Sequence, residues 1–334
     1  MVVFRIMSTI PGPLSDGTAA FPYPPPRTGP LGELIHENMV YSCEAGYRPL
    51  FLDLRVPRHA AGPQPLIVWI HGGGWVFGSR RRLPPNLFHN RLHDRMLEAG
   101  YAVAAVDYRF AREAPLPGIL LDLKAAIRWL RGHASEFNVD PERVVVWGES
   151  AGGHLAAMLG ICPKLDGAPR TGEYLDQSEQ PQAVVDWYGP ADLASMAERR
   201  TAPTNSEEAG NIDEHPLQIL KRGTAWTYAE MSPITYARAD LPPIFVAHGT
   251  DDQQVPVDQS RRLVTALQDA NATVEYLEVP GADHVWVGAP SVPEVVDRSL
   301  DFLNRHLPPA ASSPARALSS RAQEPVHSTA APRA

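Results

Sequence analysis

Four short stretches carry residue types able to do nucleophilic chemistry near neutral pH. Gly148-Glu149-Ser150-Ala151-Gly152 sets a serine between two glycines, directly after the apolar run VVVW and before HLAAMLG. A sharp strand-to-helix turn needs such glycines, because strand and helix pack too closely there for side chains, and it pushes the hydroxyl outward. The amide of Ala151 then lies at a helix N-terminus, where partial positive charge favours an anion. His71-Gly72-Gly73-Gly74-Trp75 follows another apolar run. Three bare residues can aim exposed amides at one point as an anion nest, or can simply be a flexible turn. Asp251 and Asp252 follow the run IFVA, and His284 comes later in Gly281-Ala282-Asp283-His284. Serine alone is a weak nucleophile; it needs a base within hydrogen-bond reach and an acid that fixes the base's tautomer. These residue types point to attack on a carbonyl, with the developing oxyanion held by bare amides.

Residues so far apart in sequence need a scaffold that brings them together. LIVWI (66–70), AVAAV (102–106), VVVW (144–147), AVVDW (183–187) and IFVA (244–247) are short and nearly continuous in apolar residues. Strands buried on both faces of a parallel sheet read this way. Between them lie helical stripes: Ile119, Leu120, Leu123, Ala126, Ile127 and Leu130 on one face, and Leu263, Ala266, Leu267 and Ala270 on another. A helix is expected from Asn86 to Gly100, and a Ser291/Glu294 capping box opens a last one to about Leu307. TVEYLEV (273–279) alternates as an edge strand does, and ENMVYSC with RPLFLDLRV reads as an antiparallel hairpin around Gly46. Alternating strands and helices predict an α/β fold with a mostly parallel sheet, whose ligands sit beyond the carboxyl ends of the strands. Each candidate residue falls at such an end.

HGGGW, DYR (107–109), GESAGGH, SPI (232–234), PPIFVAHGTDD and GADH occur in the order Ser, Asp, His expected of an α/β-hydrolase. Over about residues 36 to 307 the chain resembles the hormone-sensitive-lipase-type and feruloyl-esterase-like (BD-FAE-like) α/β-hydrolases. The resemblance implies a central sheet of about eight strands with helices on both faces. It implies a carboxylic ester hydrolase acting through an acyl-enzyme on small to medium esters, without metal or cofactor. It assigns Ser150 as nucleophile, His284 as base and Asp252, rather than Asp251, as the acid. The amides of Gly73, Gly74 and Ala151 would form the oxyanion hole. An arylformamidase or a sugar-ester deacetylase would use the same residues. A non-catalytic receptor or scaffold is disfavoured, since such proteins tend to have lost a triad member. Glu149 stands where many relatives have Asp. The segment 1–35, proline-rich and expected to be irregular, is too short for a large helical cap, so residues 192–231 are the candidate lid.

Other features have plainer readings. His248, before the acid in sequence, and His71, below the glycine loop, are expected to make structural hydrogen bonds; His154 is expected to pack. Trp75 and Trp286 flank the glycine and histidine loops and are expected as pocket walls. Asp192 reads as a loop cap. Cys43 and Cys162 lack activating neighbours, and two cysteines in 334 residues make neither a disulfide framework nor a zinc site, so a reducing, cytoplasmic setting is expected. A net charge of −8 argues against nucleic acid as a partner. No run approaches the ~18 apolar residues of a membrane span, and MVVFRIM lacks the pattern of a secretory leader. A small-molecule ester is the expected partner; oligomeric state is not legible. Prolines number 34, concentrated in PYPPP and the Pro- and Ala-rich stretch 308–334, which is expected to be disordered.

Overall fold

The apolar runs form the centre of one nine-stranded sheet. The structure, a computed structural model, describes residues 24–43, 48–58, 62–162, 172–198 and 215–309. In chain order the elements are β1 (Arg27–Thr28), β2 (Leu34–Ser42), β3 (Leu50–Val56), β4 (Gln64–Ile70), α1 (Pro85–His89), α2 (Leu92–Glu98) and β5 (Ala102–Val106). Then come α3 (Gly118–Gly132), β6 (Val139–Glu149), α4 (Ala151–Ile161), β7 (Ala183–Trp187), α5 (Leu193–Glu198) and α6 (Pro216–Lys221). The last are β8 (Ile244–Gly249), α7 (Asp258–Asp269), β9 (Val274–Val279) and α8 (Val292–His306). The strand order is β1-β2-β3-β5-β4-β6-β7-β8-β9. β1, β2, β3 and β5 pair antiparallel in succession, and every pairing from β5 through β9 is parallel.

Burial follows the runs: every residue of β4, β5, β7 and β8 is buried. Alternate side chains feed two cores. One packs β4 to β8 against α3, α4 and α7; the other packs the opposite face against α2 and α8. From β4 the chain passes over one face to β5, then returns through α3 on the other face to β6. The order reverses there, opening a crevice at the carboxyl ends of β4 and β6. Ile70 pairs with Gly148, so the glycine loop after β4 and the serine turn after β6 leave the sheet side by side.

Several expectations are corrected. Residues 27–35 are not irregular: Arg27 and Thr28 pair with Ile35 and Leu34, and buried Glu33 holds the turn through Leu31 N (2.9 Å) and Arg55. A two-residue strand is too short to leave a periodic trace, and it makes the sheet nine strands rather than about eight. The helix expected from Asn86 to Gly100 is two, because Arg91 takes a left-handed backbone (φ 56°). α3 is buried well beyond one apolar stripe. Arg109 clamps Asp122 through both oxygens, Arg128 pairs with Glu179, and Arg131 donates to the carbonyls of Pro141, Ser178 and Gln180. The capping box is formed on its serine side, with Ser291 Oγ accepting from Glu294 N. Residues 1–23, the hairpin turn 44–47, the middle of the expected lid (199–214) and the tail 310–334 lie outside the described residues.

Candidate active site

Ser150 sits on the turn between β6 and α4 with φ 56° and ψ −123°, a conformation that costs a residue with a side chain about 1–3 kcal/mol. Close packing enforces the turn. A Cβ on Gly148 would overlap the carbonyl of Gly152, and one on Gly152 would overlap the carbonyl of Ile70. Ser150 N donates to Trp187 O (2.9 Å), fastening the turn to β7.

His284 follows β9 in a short turn, His284–Trp286. Its Nε2 lies 3.0 Å from Ser150 Oγ and its Nδ1 lies 2.7 Å from Asp252 Oδ2. The carboxylate can only accept, so Nδ1 carries the proton and Nε2 is left to accept from the hydroxyl. Asp252 Oδ1 accepts from Gln254 N (2.9 Å) and Val255 N (2.8 Å). His248, wholly buried, also faces Asp252 Oδ2 (3.3 Å); its Nε2 donates to Val255 O (2.8 Å) and its Nδ1 meets Ser260 Oγ (2.6 Å). Burial alone would raise the Asp252 pKa, but the hydrogen bonds from His248 and His284 outweigh it and hold the carboxyl well below its ordinary value. Asp251 is exposed and bonds to Thr250 Oγ1 (2.9 Å).

The acid and histidine loops are tied by a residue the sequence reading passed over. Asp283 Oδ1 accepts from both Gln253 N (2.9 Å) and His284 N (2.7 Å). Its signal was its place beside His284 in GADH. Glu149, noted in the sequence only as standing where many relatives have Asp, also ties two loops: buried, it accepts from Gly72 N (2.7 Å) and so joins the serine turn to the glycine loop. In that loop Gly73 O accepts from Val76 N and Phe77 N, whereas the amides of Gly73, Gly74 and Ala151 have no acceptor among the described residues.

Ser150 and His284 open into a cavity of about 470 Å³. Gly73, Gly74 and Ala151 line it, with Trp75 in its wall. Met196 and Pro216, from either side of residues 199–214, close another side, and Pro216 packs over Gly74. Trp286 is not a wall. Val285 and Trp286 both take left-handed backbone (φ 57° and 61°), which turns the indole into the core, 0% exposed, against Trp187 and Tyr188. Tyr188, at the end of β7, lies between Trp286 and His284, with both ring centroids at 4.8 Å.

His71 and His154 are structural in their contacts. His71 stacks on Tyr108 and bonds to Gly72 O; His154 accepts from Trp75 Nε1 (3.1 Å) and donates to Met231 O (2.8 Å). Burial lowers the pKa of both, that of His154 to about 4. Asp192 caps Ser195 N and pairs with Arg262. Cys43 and Cys162 are unpaired thiols. Among the described residues no His, Cys, Asp and Glu side chains cluster to hold a metal ion, and no helix is long and apolar enough to cross a membrane.

A mostly parallel sheet covered on both faces, with a serine on the turn after β6 and an acid and a histidine after β8 and β9, defines an α/β-hydrolase. The BD-FAE family model matches residues 52–267. The chain belongs to the BD-FAE family. It is 29% identical over 289 residues to "Probable carboxylic ester hydrolase LipM" of Mycobacterium tuberculosis (strain ATCC 25618 / H37Rv), covering 82% of this chain and 62% of that protein. It is 32% identical over 271 residues to "Esterase LipQ" of the same organism, covering 77% and 60%. The chain thus spans less than two thirds of either relative's length. Among solved structures, a truncated carbohydrate esterase from gut microbiota superposes with a TM-score of 0.68 at 27% identity, over 81% of this chain and 95% of that one.

Proposed function

We propose that the chain is a serine carboxylesterase hydrolysing small to medium carboxylic esters through an acyl-enzyme. The observation that carries the reading is the hydrogen-bond line from Asp252 through His284 to Ser150 at the edge of a cavity. His284 Nε2 takes the Ser150 proton as Oγ bonds to the ester carbon. The oxyanion lies on the amides of Gly73, Gly74 and Ala151, each donor worth about 3 kcal/mol. As the tetrahedral centre collapses, the ester C–O bond breaks and the leaving alcohol takes the proton from His284. Water, deprotonated by His284, then attacks the acyl carbon, and the carboxylic acid departs as Ser150 regains its proton. Asp252 stays ionised throughout and fixes the imidazole tautomer.

One domain over residues 36–307, extended at its sheet edge to Arg27, carries this chemistry. Residues 192–231 act as a small lid, a reading supported by Met196, His215 and Pro216 in the cavity wall. Two unpaired thiols support a reducing, cytoplasmic setting. The carbohydrate-esterase neighbour supports a second reading, a deacetylase of sugar esters with the same triad. Ser150→Ala is expected to lower kcat for p-nitrophenyl acetate at least about 10³-fold and to abolish fluorophosphonate labelling. Turnover near that of the unmodified protein would reject the assignment. Acetylated sugars and simple alkyl esters assayed side by side separate the two readings.

A further inference from the structure

Three consecutive arginines, Arg80 to Arg82, join the glycine loop to α1, and the fold treats them unequally. Arg80 is buried and pairs with Asp107 and with Asp53 (3.1 Å). Arg81 pairs with the other oxygen of Asp53 (3.0 Å) and donates to Asn38 (2.8 Å). Arg82 is exposed and lines the same cavity as Ser150 and His284. Its guanidinium has no ion pair or hydrogen bond among the described residues; its backbone N–H alone is bonded, to Ser79 O (3.1 Å).

Glu149, the one carboxylate lining the cavity among the described residues, makes no ion pair with Arg82. Its carboxylate accepts from Gly72 N, beside the serine turn. His71 and His215 have their pKa values lowered by burial, so both are neutral at pH 7. The chain carries a net −8, and its long-range field repels anions. The exposed Arg82, which lines the cavity, opposes that field locally, and its planar guanidinium fork matches the two oxygens of a carboxylate.

We propose that Arg82 selects esters bearing a second, non-scissile carboxylate, which it grips while Ser150 attacks the ester carbonyl. This rests on the serine-esterase reading and names a substrate class for the same site. The carboxylate belongs either to the acyl group or to the leaving alcohol, and two substrate pairs separate these sources. For the acyl side, p-nitrophenyl hydrogen succinate is compared with its neutral methyl ester. For the alcohol side, p-acetoxybenzoate is compared with methyl p-acetoxybenzoate.

The readout is the ratio of kcat/KM for charged over neutral substrate. Both are measured on one preparation of the full chain, so any loss of folded protein cancels. In one of the two pairs, Arg82→Ala is expected to lower the ratio about fivefold. Arg82→Glu lowers it further, Arg82→Lys restores part of it, and high salt shrinks the advantage of the unmodified protein. Ratios unchanged by all three substitutions in both pairs overturn this inference while leaving the esterase reading standing. If the unmodified protein hydrolyses neither neutral ester, the esterase reading falls and this inference with it.

Discussion

Two adjacent carboxylates, Asp251 and Asp252, are nearly indistinguishable in sequence and opposite in environment. One is exposed on a turn; the other is buried against two imidazoles and two backbone amides. Asp252→Asn keeps the shape but offers His284 Nδ1 a neutral partner able to impose the wrong tautomer, so kcat is expected to fall about 10³- to 10⁴-fold. Asp251→Asn is expected to stay within about twofold, since an exposed turn carboxylate contributes little. Measuring p-nitrophenyl acetate turnover of both variants checks the assignment, and a large loss in Asp251→Asn would reverse it. Ser150 and His284 were legible because their signals are local: flanking glycines, a preceding strand and chain order. Trp286 was misread because its direction depends on two successive left-handed residues, which no residue type nearby announces. His248 was read as a loop histidine, and its contacts with Val255 O and Ser260 agree; its approach to Asp252 depends on how β8 meets α7.

At the scale of elements, the parallel strands were legible because residues buried on both faces leave continuous apolar runs. α3 was legible only in part. Its apolar stripe predicts one face against the sheet, but four of its charged residues are also buried, satisfied by residues that arrive from β5 onward and from the 172–182 segment. Partners so far along the chain give the helix no local mark. Asp122, only 1% exposed in its side chain, accepts from Arg109 through both oxygens and from Arg109 N. Asp122→Ala leaves the guanidinium partly buried without that carboxylate, a loss expected to destabilise the protein by about 3–5 kcal/mol. Urea unfolding at neutral pH reads it directly; a change below about 1 kcal/mol would mean the clamp is replaced by water. The break between α1 and α2 has a tertiary reason too. Asn86 Nδ2 donates to Val285 O (3.1 Å) and Trp286 O (2.9 Å), so α1 is oriented by the turn that carries His284.

For the whole molecule, buried titratable groups set how stability responds to acid. His93, on α2 against Trp69, is half-buried with its Nε2 enclosed and unpartnered among the described residues, and burial lowers its pKa to about 3. His154 is lowered to about 4. Both are neutral when folded and take protons first when unfolded. Their stability contribution is therefore full above about pH 6.5 and is lost as pH falls toward the folded values. Asp186, buried on β7, has the opposite sign: burial pushes its pKa up to about 6, so acid favours its folded form. Two histidines outweigh one carboxyl, and the urea midpoint is expected to drop between pH 7 and pH 4.5. His93→Leu should flatten that drop by about 2–3 kcal/mol. An identical pH slope in the variant would remove His93 from the account. The pairing of Ile70 with Gly148 has a wider meaning. Amide cradle and attacking oxygen are anchored on neighbouring rungs of one ladder, whereas Met196, His215 and Pro216 in the cavity wall come from the segment inserted after β7. The insertion after β7 can therefore reshape that part of the wall without displacing the groups that do the chemistry.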